Sequence, residues 1–273
     1  MIWYDAGVRH VLAPLLALGA LGCGAHAAPV HGSYGTPNRG VLVDGVVLEE
    51  TDSVRWLRND DRHFAIPRLA AAIQRAAARV EAARPGPPLY VGDLSARHGG
   101  SASGHRSHRS GVDADLLLFW TTLEGAPIPT PGFRHVGADG LAFDAAHGTF
   151  IRFDVEREWL LIEALLRDPA ARVQWIFASE VLEAIVLEWA QARGSDPEIV
   201  RRAQEVMLQP TGAAVHDDHI HIRTACDEDE IVEGCRVIGP ERAWLREDVA
   251  ADSDATLVRA ILEPLDPVVA HGS

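Results

Sequence analysis

The chain has 273 residues, 25 basic and 39 acidic side chains, and a formal net charge of −14. That length, with 47% hydrophobic residues, supplies a core without disulfide staples, and the acidic balance argues against a nucleic-acid coat or a binder of anionic membranes. Every basic residue is arginine, which excludes Schiff-base lysines, Walker-type phosphate loops and Ser-Lys dyads, so the placement of the 13 histidines becomes the main question.

In chain order, residues 11–23 (VLAPLLALGALGC) form an uncharged apolar run too short for a stable membrane span. Ala25-His26-Ala27 follows as an A-x-A cleavage pattern, which makes residues 1–28 an export signal and 29–273 a single domain. Cys23, after Ala20-Leu21-Gly22, is the alternative, a lipid attachment point. An exported chain then keeps Cys226 and Cys235, close enough in sequence to pair. A hairpin is expected over 40–49 around Asp44-Gly45. A helix is expected over 67–80, opened by Pro67 and stopped by Pro85-Gly86-Pro87-Pro88. Strands are expected at 89–91 and 112–120 around a Gly/Ser/His loop, with loop and short strands over 121–150. Helices at 153–166, 179–193 and 197–208, a strand at 173–177 and a strand at 215–224 complete the pattern, and a further helix is expected in the tail from Gly239. The fold class is α+β: a small, mainly antiparallel sheet surrounded by helices.

Two histidine clusters carry the chemistry. In the first, His105, His108, Asp113 and Asp115 run from the loop into the following strand. A loop that doubles back lets His108 and Asp115 reach one ion, and by the period-two rule Asp113 and Asp115 share a strand face. One of the two carboxylates is free to bind metal while the other orients a ligand. In the second, His216-Asp217-Asp218-His219-Ile220-His221 places His219 and His221 on one strand face, with Ile220 and Ile222 on the other. One imidazole from each cluster plus a carboxylate makes a three-ligand site with an open fourth position.

The stretches VGDLSARHGG (91–100), SGHRSHRSGVDADLLL (103–118), VQWIFAS (173–179) and HDDHIHIRTAC (216–226) resemble the penicillin-insensitive murein endopeptidases. These are zinc peptidases related to lysostaphin-type and D-alanyl-D-alanine-cleaving enzymes. The resemblance implies zinc held by His108, Asp115 and His221, with His219 as the non-ligand histidine of the pair. It also implies an accessory metal site at His105, Asp144 and His147. His219, then His216, are the candidates for general base or oxyanion partner, since no H-E-x-x-H glutamate is present. Arg106, Arg109 and Arg223 flank the motifs and could bind substrate carboxylates.

The implied partner is the D-alanyl–diaminopimelate cross-link of peptidoglycan, reached by export to the periplasm. No nucleic-acid partner is expected; a homodimer is left open, and membrane attachment depends on a lipid at Cys23. A D,D-carboxypeptidase or dipeptidase of the same fold, and a non-catalytic zinc- or wall-binding module, are the alternatives.

Overall fold

The chain first turns back on itself at Pro37-Asn38. There β1 (Gly32–Thr36) and β2 (Arg39–Val43) pair antiparallel, with Thr36 opposite Arg39. The computed structural model describes residues 32–101, 104–236, 238–240 and 242–245. The expected export signal with Cys23, and the tail beyond residue 245, lie outside the described residues. The hairpin expected around Asp44-Gly45 is displaced. Asp44, at φ 50°, bends the chain out of β2. The next strand, β3 (Val46–Val47), is followed by β4 (Val54–Trp56) and pairs with β5 (Phe64–Ala65) rather than with β2.

Helix α1 (Pro67–Ala83) starts on a proline, whose missing N–H costs nothing in the first turn. It buries Leu69, Ile73, Ala76, Ala77 and Val80 at helical spacing. Its last turn runs past the expected end, and Arg84 N–H closes it on the Val80 carbonyl at 2.8 Å. Then come β6 (Leu89–Val91), β7 (Asp113–Leu117) and β8 (Trp120–Thr121). The single strand expected over 112–120 is thus two strands in two sheets. The break falls at Leu118-Phe119, where the Phe119 carbonyl leaves the ladder and accepts Asp154 N–H at 2.9 Å. The short strands expected over 121–150 are β9 (Pro127–Ile128), β10 (Leu141–Asp144) and the start of β11 (Thr149–Phe153). They join β8 in a sheet ordered β10-β11-β8-β9.

The helices of the second half are set by their caps. Asp154 accepts Arg157 N–H at 3.3 Å to start α2 (Val155–Arg167). After β12 (Val173–Phe177), the Ser179 hydroxyl accepts Leu182 N–H at 3.2 Å to start α3 (Glu180–Ala192). α4 (Pro197–Val206) ends earlier than expected, because Met207 and Leu208 form β13, parallel to β12. The last strand, β14 (His219–Thr224), precedes the short α5 (Glu228–Glu233). β14 also starts later than expected, so His216 lies on the connection before it. The reason is local: His216 N–H goes to Gln209 Oε1 at 2.9 Å and its carbonyl accepts Ser179 N–H at 2.6 Å, so neither group serves the ladder.

The central sheet is ordered β13-β12-β14-β7-β6-β4. β14 runs antiparallel to β12 and β7 at its centre, while the β12–β13 and β4–β6 pairs are parallel. Helices α1 to α4 pack on one another, and α1, α3 and α4 also on this sheet, which is the expected α+β arrangement. Along β14, Ile220 and Ile222 are buried in the core. A Cys226–Cys235 disulfide ties the end of β14 to the end of α5, as the cysteine spacing suggests.

Candidate metal centre

β14 and β7 build the site by register. His221 pairs opposite Asp115, and Arg223 opposite Asp113. Alternation then puts His219, His221 and Arg223 on the same face as Asp113 and Asp115. The third contribution, His108, arrives from the loop between β6 and β7. Its backbone sits in the left-handed region at φ 61°, uncommon for a side-chain-bearing residue, and its side chain is fully buried. Asp113 holds that conformation, because its Oδ2 accepts His108 N–H at 3.1 Å.

Three donor atoms converge. His108 Nε2 is 3.2 Å from Asp115 Oδ1, His221 Nδ1 is 3.1 Å from the same oxygen, and the two nitrogens are 3.3 Å apart. A tetrahedral ion with arms of about 2.0 to 2.1 Å has edges of about 3.3 Å, so this near-equilateral triangle is the size of one face of a zinc-type site. Asp115 Oδ1 is buried and takes part in no hydrogen bond of good geometry, although it faces three imidazole nitrogens, the third being His219 Nε2 at 3.4 Å. A buried carboxylate oxygen left in this state is costly unless a cation fills the gap. The donor set of imidazoles and carboxylate suits a divalent transition metal. His105 joins His108 and Asp115 in a further grouping whose ligand atoms all lie within 4.8 Å of one another.

The surrounding shell fixes these donors. Asp113 Oδ1 sits 2.9 Å from His221 Nε2 and accepts Arg223 Nε–H at 2.6 Å, so His221 turns Nδ1 toward the centre. Burial alone would raise both carboxyls. Arg223 and His221 instead hold Asp113 well below the usual carboxylate range, and the histidines, His108 first, do the same for Asp115. His219 Nδ1 lies 2.6 Å from Asp218 Oδ1. Burial lowers its pKa, but Asp115 and Asp218 outweigh this and raise it to about 10. His216 behaves oppositely: burial, then the neighbouring His219 and His221, lower it to about 4, and its buried Nδ1 has no hydrogen-bond partner.

A family model described as penicillin-insensitive murein endopeptidase matches residues 33–243. The chain belongs to the penicillin-insensitive murein endopeptidase family. A Haemophilus influenzae protein of that description is 28% identical over 208 residues, 74% of this chain. The match spans 65% of that relative, just under two thirds of its length.

Of the residues that the family resemblance points to, the structure brings His108, Asp115, His221 and His219 together, with His216 beside them at 5.2 Å between the His216 and His219 rings. His105, Asp144 and His147 form no single ligand grouping among the described residues. His105 places Nε2 2.7 Å from Asp93 Oδ2, with Nδ1 3.8 Å from Asp115 Oδ2. Asp144 and His147 instead pair with each other at 2.6 Å on the β10–β11 turn, and neither belongs to a three-residue ligand grouping among the described residues. Their three-residue spacing serves the turn itself, whose Ala146 N–H also goes to Asp144. Among the flanking arginines, Arg223 is committed to Asp113, while the exposed Arg106 places Nη1 3.3 Å from the Gly212 carbonyl.

Sequence reasoning did not single out Asp93, which bridges His105 to Arg58, or Phe177, whose ring lies 5.1 Å from that of His221. Asp93 lies inside the matching stretch 91–100, a signal that could have found it. For Phe177, alternation along β12 opposite His221 was the available clue.

Proposed function

We propose that this chain is a zinc-dependent murein endopeptidase that hydrolyses the D-alanyl–diaminopimelate cross-link of peptidoglycan. The observation that carries this reading is the triangle of His108 Nε2, Asp115 Oδ1 and His221 Nδ1, one corner of which is an unsatisfied buried oxygen, in a chain of this family. Zinc bound there supplies Lewis acidity toward a carbonyl oxygen and acidifies a water molecule. His108, Asp115 and His221 hold it, and Asp113 orients the ligands from behind. His219, gripped by Asp218 at one nitrogen, faces the centre with the other, placed to donate a hydrogen bond there. That suits it to stabilise negative charge on the attacked carbonyl oxygen. His216, whose ring lies 5.2 Å from that of His219, is the second group placed for proton transfer.

The same reading takes residues 29–273 as one metallopeptidase domain and residues 1–28 as its export signal, with the protein in the periplasm beside its substrate. The Cys226–Cys235 bridge supports an oxidising compartment.

The test is a digest of cross-linked muropeptides, with products weighed by mass spectrometry. Dimers fall to monomers with the intact protein, but not with chelator or with His108→Ala. His219→Ala keeps its metal and loses about 10²- to 10³-fold in rate. Release of terminal D-alanine alone would point to a carboxypeptidase. Unchanged dimers with zinc bound would point to a non-catalytic module.

A further inference from the structure

The connection between β9 and β10 reaches back over the candidate centre. Its Val136 is buried and donates its N–H to the Asp217 carbonyl at 2.9 Å. His135 Nδ1 lies 2.6 Å from Asp217 Oδ1. Asp217 stands two residues before His219, so the connection is fastened at the entry to the catalytic strand. Three residues before Val136, the half-buried Phe133 meets His219 edge-to-face, with ring centroids 5.4 Å apart at 88°. The same ring occupies the space beside residue 92. A Cβ built on Gly92 would stand 3.0 Å from Phe133 Cζ and 3.4 Å from Asp115 Cβ. Gly92 therefore leaves room for the tip of an aromatic ring close to the backbone beside Asp115, while the same ring meets His219. The Arg58 guanidinium lies 6.0 Å from the ring centroid.

This ring donates nothing to a metal and is not part of the buried core. It is a rigid apolar surface beside the group that faces the attacked carbonyl. We propose that Phe133 is a specificity-determining residue: its ring walls the position flanking the cleaved bond, admitting a methyl-sized side chain and excluding longer or branched ones. This rests on the endopeptidase reading above. An aromatic wall fastened through Val136, His135 and Asp217 does not retreat freely, so extra methylenes meet the ring. Discrimination by one methylene in such a pocket is about 10- to 200-fold in kcat/KM.

The experiment uses the zinc-loaded full chain and synthetic cross-linked peptides carrying D-alanyl or D-leucyl at one position flanking the cleaved bond, then at the other. The intact protein is expected to prefer the methyl-bearing peptide by about tenfold or more at one of the two positions. In Phe133→Ala that preference shrinks by about tenfold, while metal content stays at one equivalent. Where Phe133→Ala fails to fold or to hold metal, Phe133→Leu keeps most of the packing and is expected to narrow the same ratio. Unchanged ratios at both positions in a metal-replete variant would overturn the role of Phe133 and leave the endopeptidase reading standing. An intact protein that cuts none of the peptides would overturn that reading, and the inference with it.

Discussion

At the residue scale, Asp113 does more than a bystander carboxylate. One oxygen fixes the left-handed backbone of His108, and the other grips the His221 ring and the Arg223 guanidinium. Two ligands from two parts of the chain are thus set by a side chain that does not itself face the metal position. Asp113→Asn keeps the size but weakens all three contacts, because an amide carries no charge for Arg223 or His221. Zinc affinity is expected to fall about 10- to 100-fold, read by equilibrium dialysis against a competing chelator. An affinity equal to the parent's would show that Asp113 has no part in orienting the ligands. The sequence carried half of this: the spacing put Asp113 and Asp115 on one face, but left open which carboxylate ligates.

At the element scale, the site depends on β14 lying between β12 and β7, and the disulfide guards the end of that strand. Cys226 lies two residues beyond the end of β14, and Cys235 N–H closes α5 on the Glu230 carbonyl. Further bonds, Gly35 N–H to the Gly234 carbonyl and Arg236 N–H to the Gly35 carbonyl, stitch the same turn to β1. Replacing both cysteines by serine is expected to lower unfolding free energy by about 2 to 4 kcal/mol, measured by denaturant titration. The parent protein in reductant serves as the matched comparison. A midpoint shared by the variant and the parent without reductant would sink the idea. Strand and helix positions were largely legible from periodicity and proline punctuation, as at Pro67. The breaks were not. Met207-Leu208 and Leu118-Phe119 read as continuations of a helix and a strand, because the partner that captures them lies far away in sequence.

At the scale of the whole molecule, a buried carboxyl couples stability to pH. Glu158 on α2 is fully buried, with one oxygen unpartnered and the other 3.4 Å from Phe119 N–H. Burial pushes its pKa up to about 8 from an ordinary 4.5. Between those values the fold keeps a proton that the unfolded chain releases. Stability from this group is therefore present in full below about pH 4.5, and is lost as pH rises through about 8, at up to about 1.4 kcal/mol per pH unit. Glu158→Gln stays neutral throughout, so its stability relative to the parent is expected to rise from pH 5 to pH 8 in urea titrations. Parallel pH profiles would refute this. The net charge of −14 announced an acidic molecule, but not that one of its acids is held neutral inside.

What the sequence determined by itself was the chemistry on offer. Strand alternation separates His219 and His221 from Ile220 and Ile222 whatever the rest of the chain does, and the two histidine motifs supply enough ligands for one ion. Only the tertiary structure decided how they are used. Register between β14 and β7 set Asp115 opposite His221, and that long-range pairing chose Asp115 as the converging carboxylate and Asp113 as its support. The same packing turned Nδ1 of His221 and Nε2 of His108 inward, left Asp144 and His147 to each other, and brought Phe133 onto His219. Those choices depend on contacts between residues distant along the chain, which no local pattern encodes.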